Sequence, residues 1–237
     1  MSLYTFFGCL LLAYGPILSI FFLYIAPNAQ YVLLMVSSAF FCLIALLLSS
    51  VIWYFATSAQ TMHFVSITYS VAIQELCRWG FYLLLNRAEA GLNTVSANPK
   101  SSFNQSVFAF VSGFGYALMS SLSIGPGVMM CPSCPQATLY FISAITTSLF
   151  SLMHIFWMVI SFEGFSEAPQ MKGWFKIGWV IVSHYGASFA TTLNAFTSIN
   201  YGCVYSIVIC LVIIALSVFI VATSLKSRFR LSLHPPS

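Results

Sequence analysis

Apolar runs of roughly 20 residues, separated by short polar turns, recur along this chain from one end to the other, and about 20 residues is the length a helix needs to cross a hydrocarbon core. Seven such runs predict seven helices: about Leu3–Ile25, Tyr31–Phe55, Phe64–Leu85, Ser106–Ile124, Thr138–Ser161, Trp174–Thr197 and Cys203–Leu225. The breaks carry turn residues, at Pro27-Asn28, residues 57–61, Gly125-Pro126-Gly127 and Asn200-Tyr201-Gly202. Gly15-Pro16 falls inside the first run and predicts a bend there, which a membrane helix tolerates when its neighbours satisfy the freed carbonyl. That run does not read as a signal peptide. It has no basic start, it exceeds the usual apolar length, and it has no small-residue cleavage site. With no hydrophilic stretch long enough for a second domain, residues 1–237 read as a single transmembrane domain.

Composition names the solvent. Hydrophobic residues make up 60% of the chain and charged ones 5%, too little polar material to cover the surface of a soluble domain of this length. The expectation is therefore an all-α membrane protein, a polytopic bundle of seven transmembrane helices. The net charge of +4 is too small and dispersed for nucleic-acid binding, and works instead as a topology signal. Arg87 and Lys100 follow the third span, Lys172 and Lys176 flank the start of the sixth, and Lys226, Arg228 and Arg230 follow the seventh. All fall on one side, which places the N-terminus in the lumen or outside the cell and the C-terminus in the cytosol. The outer loops are then short and free of Lys and Arg, so recognition outside the membrane needs another subunit. Asn104-Gln105-Ser106 matches a glycosylation sequon, yet this orientation puts it in the cytosol, where it stays unmodified.

Cys131-Pro132-Ser133-Cys134 falls in an outer loop, on the oxidising side, and leaves two readings: a local disulfide or two free thiols. A redox role needs a thiol held at a helix N-terminus, which Pro132 and Pro135 oppose. Cys9, Cys42, Cys77, Cys203 and Cys210 lie within or beside spans and read as small apolar packing residues.

The polar residues inside the spans carry the candidate chemistry. Glu75 lies near the middle of the third span with Arg78 one turn on, a spacing at which the two share a pocket. A lone charge there costs ~3 kcal/mol on insertion scales, so both should face protein or trapped water. Glu75 is ten residues from the inner end of its span and His184 ten residues from that of the sixth, each ~15 Å deep. Arg78 and His154 are seven residues from their inner ends, ~10 Å deep. Four ionisable groups from three helices thus share one layer, and Ser183, Ser188, Thr191, Thr192 and Asn194 add polar groups to the sixth span. Either the pair only locks helix packing or the layer is a polar cavity with a further role.

The chain has no aspartate, which excludes an aspartyl protease of presenilin type, and no lysine deep in a span for a retinal Schiff base. There is no His-Glu-x-x-His, and "HYGASF" (184–189) only brushes the rhomboid serine pattern. The inner end of the third span and the seventh span lack the motifs of a seven-span receptor. The enzyme alternative is a metal-assisted hydrolase in which Glu75, His154 and His184 supply three N/O ligands, against which Arg78 is a poor neighbour for a cation. The reading without catalytic, metal-binding or cofactor-binding residues is preferred. In the fourth span Gly113, Ala117 and Ser121 recur every four residues, a stripe that admits a close helix, within the chain or from a partner; Gly115 adds a second small face.

Several blocks together resemble the anterior pharynx-defective family: "FFGCLLLAYGP" (6–16), "QELCRWGFYLLLNRAEAGL" (74–92), "FVSGFGY" (110–116), "GPGV" (125–128), "LMHIFWMVISFE" (152–163) and "SHYGASFATTLN" (183–194). The resemblance implies a non-catalytic scaffold of gamma-secretase, the intramembrane protease complex that cleaves type I membrane proteins such as Notch and amyloid precursor protein. It implies seven spans in the orientation read from charge. The implied partners are presenilin, nicastrin and the presenilin enhancer subunit, in the endoplasmic reticulum, Golgi and plasma membrane. The family's intramembrane histidines carry over to His154 and His184. Its glycine stripe carries over to Gly113, with Ala117 and Ser121 standing at the next two positions. The family is similar to intramembrane CAAX-type proteases, which implies that Glu75 and Arg78 descend from a lost active site. In the resembling complexes the C-terminal end of presenilin enters a cavity of this subunit, and the expectation is a carboxylate arriving near Arg78, His154 and His184.

Overall fold

A computed structural model describes residues 3–56, 60, 62–95, 102–123, 139–195 and 200–233. Among the described residues the chain forms seven α-helices: α1 (Leu3–Ile20), α2 (Ala29–Phe55), α3 (His63–Val95), α4 (Ser102–Ser123), α5 (Leu139–Glu167), α6 (Met171–Thr192) and α7 (Gly202–Leu233). A π-helical turn, Phe21–Ile25, prolongs α1, and a 3-10 turn, Leu193–Ala195, ends α6. The stretches Leu3–Ile25, Ala29–Phe55, Tyr140–Glu167 and Gly202–Ser227 are long and apolar enough to cross a membrane. The chain is a membrane protein whose remaining helices, α3, α4 and α6, carry more polar residues.

Several helices outrun the apolar segments that predicted them. α3 continues ten residues past Leu85, α5 six past Ser161 and α7 eight past Leu225. Hydropathy ends where the polar residues begin, but Leu, Ala, Arg and Glu sustain a helix in water as in lipid. α6 starts at Met171, three residues before the predicted Trp174, and its regular turns end at Thr192. α1 runs through Pro16 without interruption and changes winding only at Phe21. Asn28 stops that segment and starts the next: its side-chain oxygen accepts from the Gln30 N–H at 3.0 Å, an N-cap for α2. The Asn200-Tyr201-Gly202 turn places Tyr201 in the left-handed region at φ 64° and opens α7.

α5 is the mast of the bundle. Of the residues in its most apolar stretch, 78% are buried, against 11% for α1 and 22% for α7. Three clusters share it. Met153, Trp157 and Ile160 pack with Val180 and Ala187 of α6 and with Cys210 and Ile213 of α7. Met158, Val159 and Phe162 pack with Cys42 of α2, Phe81 and Tyr82 of α3, and Tyr116 of α4. Ile155 packs with Ile17 of α1 and with Val111, Phe114 and Ala117 of α4.

α4 is wedged between α2 and α5 on two glycine faces. A Cβ at Gly113 would lie 2.9 Å from the Cα and carbonyl oxygen of Ile155 in α5. A Cβ at Gly115 would overlap the carbonyl oxygen of Met35 in α2. Only glycine lets these backbones approach so far, and such proximity supplies the dispersion contacts that hold helices together in lipid. Ala117 and Ser121, the other members of the stripe, are buried. Ser121 donates to its own helix at the Leu118 carbonyl, while its own carbonyl accepts from the Tyr14 hydroxyl of α1 at 3.4 Å.

At one end of the bundle, Lys176 of α6 donates to Glu163 (3.2 Å) and Glu167 (2.8 Å) of α5 and to the Ser224 hydroxyl of α7 (3.0 Å). One ammonium thus ties three helices with its three protons. Charge at span ends reads from sequence as a solvated topology signal; only packing shows that Lys176 and Glu163 are almost out of water.

Candidate functional site

Glu75 and Arg78 of α3 meet as their i, i+3 spacing allows. One guanidinium nitrogen, Nη1, donates to both carboxylate oxygens of Glu75, at 2.6 and 2.8 Å. The other, Nη2, lies 3.2 Å from Nδ1 of His154 on α5. Arginine has no lone pair to offer, so His154 accepts at Nδ1 and carries its proton on Nε2, which donates to the Ser120 hydroxyl of α4 at 2.9 Å. His184 of α6 donates from Nδ1 to Glu75 at 2.6 Å. One chain of bonds therefore runs His184, Glu75, Arg78, His154, Ser120 and touches four helices.

The surroundings explain why these charges are tolerated. The Arg78 side chain is fully buried, His154 and His184 nearly so, and Glu75 retains 14% exposure. Tyr116 of α4 lies under the guanidinium, its ring centre 5.3 Å from Cζ, and its hydroxyl donates to the Gln74 carbonyl at 3.0 Å. The indole of Trp157 stacks on His184 with ring centres 4.4 Å apart and meets His154 edge-on at 5.2 Å. With most water kept off the pair, the Glu75 carboxylate takes its donors from Arg78 and His184, the hydrogen bonding that a buried pair requires.

The structure thus brings Glu75, Arg78, His154 and His184 into one contact network and adds three residues that sequence reading missed. Ser120, Tyr116 and Trp157 each look like ordinary interior side chains in a one-dimensional pattern. No spacing rule reports that they border the same charge. The hydroxyls expected to enrich the site from the sixth span do not join it. Ser183, Thr191 and Thr192 donate to the carbonyls of Val180, Ser188 and Phe189 on their own helix.

The donor atoms that a metal would use are turned on one another. Glu75 accepts from Arg78 and His184, and the Nδ1 lone pair of His154 is taken by Arg78. Among the described residues no cluster of three His, Cys, Asp or Glu side chains is gathered as an ion site. The geometry is that of a hydrogen-bonded ion pair.

A cleft of about 400 Å³ opens beside the network, lined by Glu75, Leu76 and Trp79 of α3 and by Ile177, Ile181 and Tyr185 of α6. Arg78 is not on its wall. Within this cleft the charged side chain on the wall is therefore the carboxylate of Glu75.

The cysteines also need a correction. Cys203, read as an apolar packing residue, is disulfide-bonded, whereas Cys9, Cys42, Cys77 and Cys210 are free thiols. Cys203 is the second residue of α7, at a helix end where a crosslink can reach it. Cys131 and Cys134, the candidates for an outer-loop bridge, lie outside the described residues.

Among the described residues the chain is thus an all-helical membrane protein in which a buried ion pair on α3 binds histidines of α5 and α6, and in which α4 is wedged by glycine. The Aph-1 protein family model matches residues 4–224, and the chain belongs to that family. It is 34% identical over 213 residues to gamma-secretase subunit Aph-1b of Danio rerio, with 82% of this chain and 80% of the relative covered. It is 32% identical over 205 residues to gamma-secretase subunit Aph-1 of Drosophila melanogaster, covering 82% and 83%. To gamma-secretase subunit APH-1B of Homo sapiens it is 31% identical over 229 residues, covering 88% and 86%.

Proposed function

We propose that this chain is a non-catalytic scaffold subunit of gamma-secretase, one transmembrane domain of seven spans with the N-terminus lumenal or extracellular and the C-terminus cytosolic. The observation that carries the reading is that the buried ionisable side chains bind one another. Each charged or ring group that could act on a substrate is engaged with another side chain of the same network, while the family relationship supplies the assembly. The chain has no aspartate, so the catalytic aspartates belong to presenilin, and its outer loops are short, so the recognition surface outside belongs to nicastrin. The presenilin enhancer subunit completes the complex, which resides in the endoplasmic reticulum, Golgi and plasma membrane. The cleft beside Glu75 receives a partner segment through apolar contact and N–H or O–H donors.

Glu75, Arg78, His154 and His184 serve assembly by fixing how α3, α5 and α6 face one another, and Gly113, Ala117 and Ser121 serve it by holding α4 close. The test is co-purification from cells in mild detergent. The wild-type chain brings down presenilin and nicastrin; the double variant His154→Ala, His184→Ala brings down markedly less, with protease activity lost in proportion. Normal assembly and proteolysis in that variant would refute the role of the histidines. Stoichiometric zinc in the purified chain, with activity abolished by Glu75→Gln, would establish the hydrolase instead.

A further inference from the structure

Glu75 and Arg78 balance each other's charge, yet the interior around them leaves polar atoms unmatched. Among the described residues, Nε–H of Arg78, the side-chain oxygen of Gln74 and the indole N–H of Trp157 are closed off from solvent and meet no hydrogen-bond partner. Arg78 and Trp157 are fully buried, and Gln74 is 9% exposed. A buried donor or acceptor left bare forfeits its hydration, so native interiors pair such atoms with protein or with an ordered water. The rule is stricter inside a membrane, where bulk water is not at hand.

Two of the three atoms belong to one corner of the bundle. Gln74 and Arg78 stand at i and i+4 on α3, neighbours on one helix face. Tyr116 of α4 closes that corner. Its hydroxyl donates to the Gln74 backbone carbonyl at 3.0 Å, and its ring centre lies 5.3 Å from Cζ of Arg78. Having given its proton to that carbonyl, the Tyr116 oxygen keeps a lone pair with which to accept. The amide nitrogen of Gln74 is directed to the Ser70 hydroxyl at 3.5 Å, which leaves the amide oxygen for the corner. One donor, Arg78 Nε–H, thus faces two acceptors, Gln74 Oε1 and the Tyr116 oxygen.

That set selects its guest. The guest has to accept one hydrogen bond and donate two. A halide accepts but cannot donate, and the Arg78 charge it would neutralise is already taken by Glu75. A metal ion or an ammonium accepts nothing from an N–H and would stand beside a guanidinium. An alcohol has one proton where two are needed. Water meets all three atoms, and about three partners is the usual number for a buried water.

We infer that the corner between α3 and α4 binds a single water molecule, which accepts from Arg78 Nε–H and donates to Gln74 Oε1 and to the Tyr116 hydroxyl oxygen. Glu75 and His154 hold the two Nη groups of the guanidinium, and the water holds its Nε. The charged network is thereby joined to α4 at a second point besides Ser120. The site goes beyond the scaffold reading and does not depend on it.

Radiolytic footprinting of the full chain, assembled with its partners in detergent, tests the site. Millisecond X-ray pulses split water into hydroxyl radicals, which oxidise a buried ring only where a bound water touches it, and mass spectrometry locates the added oxygen. Phe114, equally buried on the same helix, is the reference. After correction for ring reactivity, Tyr116 should be oxidised several-fold faster than Phe114. Gln74→Leu removes one acceptor and should bring the Tyr116 rate down to that of Phe114. If Gln74→Leu loosens the bundle and raises both rates, Gln74→Met, closer to glutamine in shape, gives the reading: a fall at Tyr116 supports the water, and no fall refutes it. A wild-type Tyr116 no faster than Phe114, or a Tyr116 rate untouched by Gln74→Leu, would overturn the proposal.

Discussion

Along α4 the helices meet through backbone: Gly113 lies against Ile155 and Gly115 against Met35, with no room for a methyl group. Between α3, α5 and α6 they meet through charge, Glu75 bonding to Arg78 and His184, and Arg78 to His154. The two seams face one difficulty. In lipid, apolar side chains gain nothing by leaving their surroundings for one another, so helix contact has to come from closeness or from polar groups. The α4 seam depends on shape and on no charge. The polar seam tolerates larger side chains but fixes their partners one by one. The first should therefore fail when anything is added, and the second when anything is taken away.

The largest effect should come from halving the ion pair. Arg78→Met leaves Glu75 buried with only His184 for company, and should cost about 3–5 kcal/mol, as breaking a buried pair does. Thermal unfolding in detergent reads it. The double variant Glu75→Gln, Arg78→Met should recover much of that loss; equal losses in the single and double variants would mean the pair is not the unit. The glycine seam comes next. Gly115→Ala puts a carbon against the Met35 carbonyl and should cost about 3 kcal/mol, with Gly113→Ala near the lower part of the ~1–3 kcal/mol overpacking range, because its contacts are less severe. If both were silent in the same melt, α2, α4 and α5 would not be as close as described.

Ser120→Ala removes the acceptor of the His154 ring N–H, a loss that should cost about 0.6 kcal/mol, the average of hydrogen bonds between membrane helices. A larger loss would show that the histidine tautomer, and with it the Arg78 contact, depends on α4. At the bottom of the scale stands Gly8→Ala in α1, where an added Cβ meets nothing within 4 Å. It should stabilise the chain slightly, by about 0.5–1 kcal/mol, through lost backbone freedom in the unfolded state. Together these variants separate the three regimes of the bundle: charged seam, backbone seam and lipid-facing helix.

What the sequence by itself determined follows from one-dimensional periodicity and solvent. Apolar run length locates the cores of the helices, and the scarcity of charge makes the lipid bilayer their solvent, because both depend on composition within a window. The matched depths of Glu75, Arg78, His154 and His184 are legible for the same reason, since depth along a helix is only a count of residues at a fixed rise. The direction a helix faces is not a count. That Ser120 and Tyr116 border the charges, that Ser183 and Thr191 bond to their own turns instead, and that Arg78 hides behind Glu75 from the neighbouring cleft were decided by how α4, α5 and α6 rotate against α3. Lys176 makes the same point at the bundle end, where position along the chain suggests a solvated cation and three helices converging in space make it a clamp. Rotation and convergence depend on all the neighbours at once, and so belong to the tertiary structure.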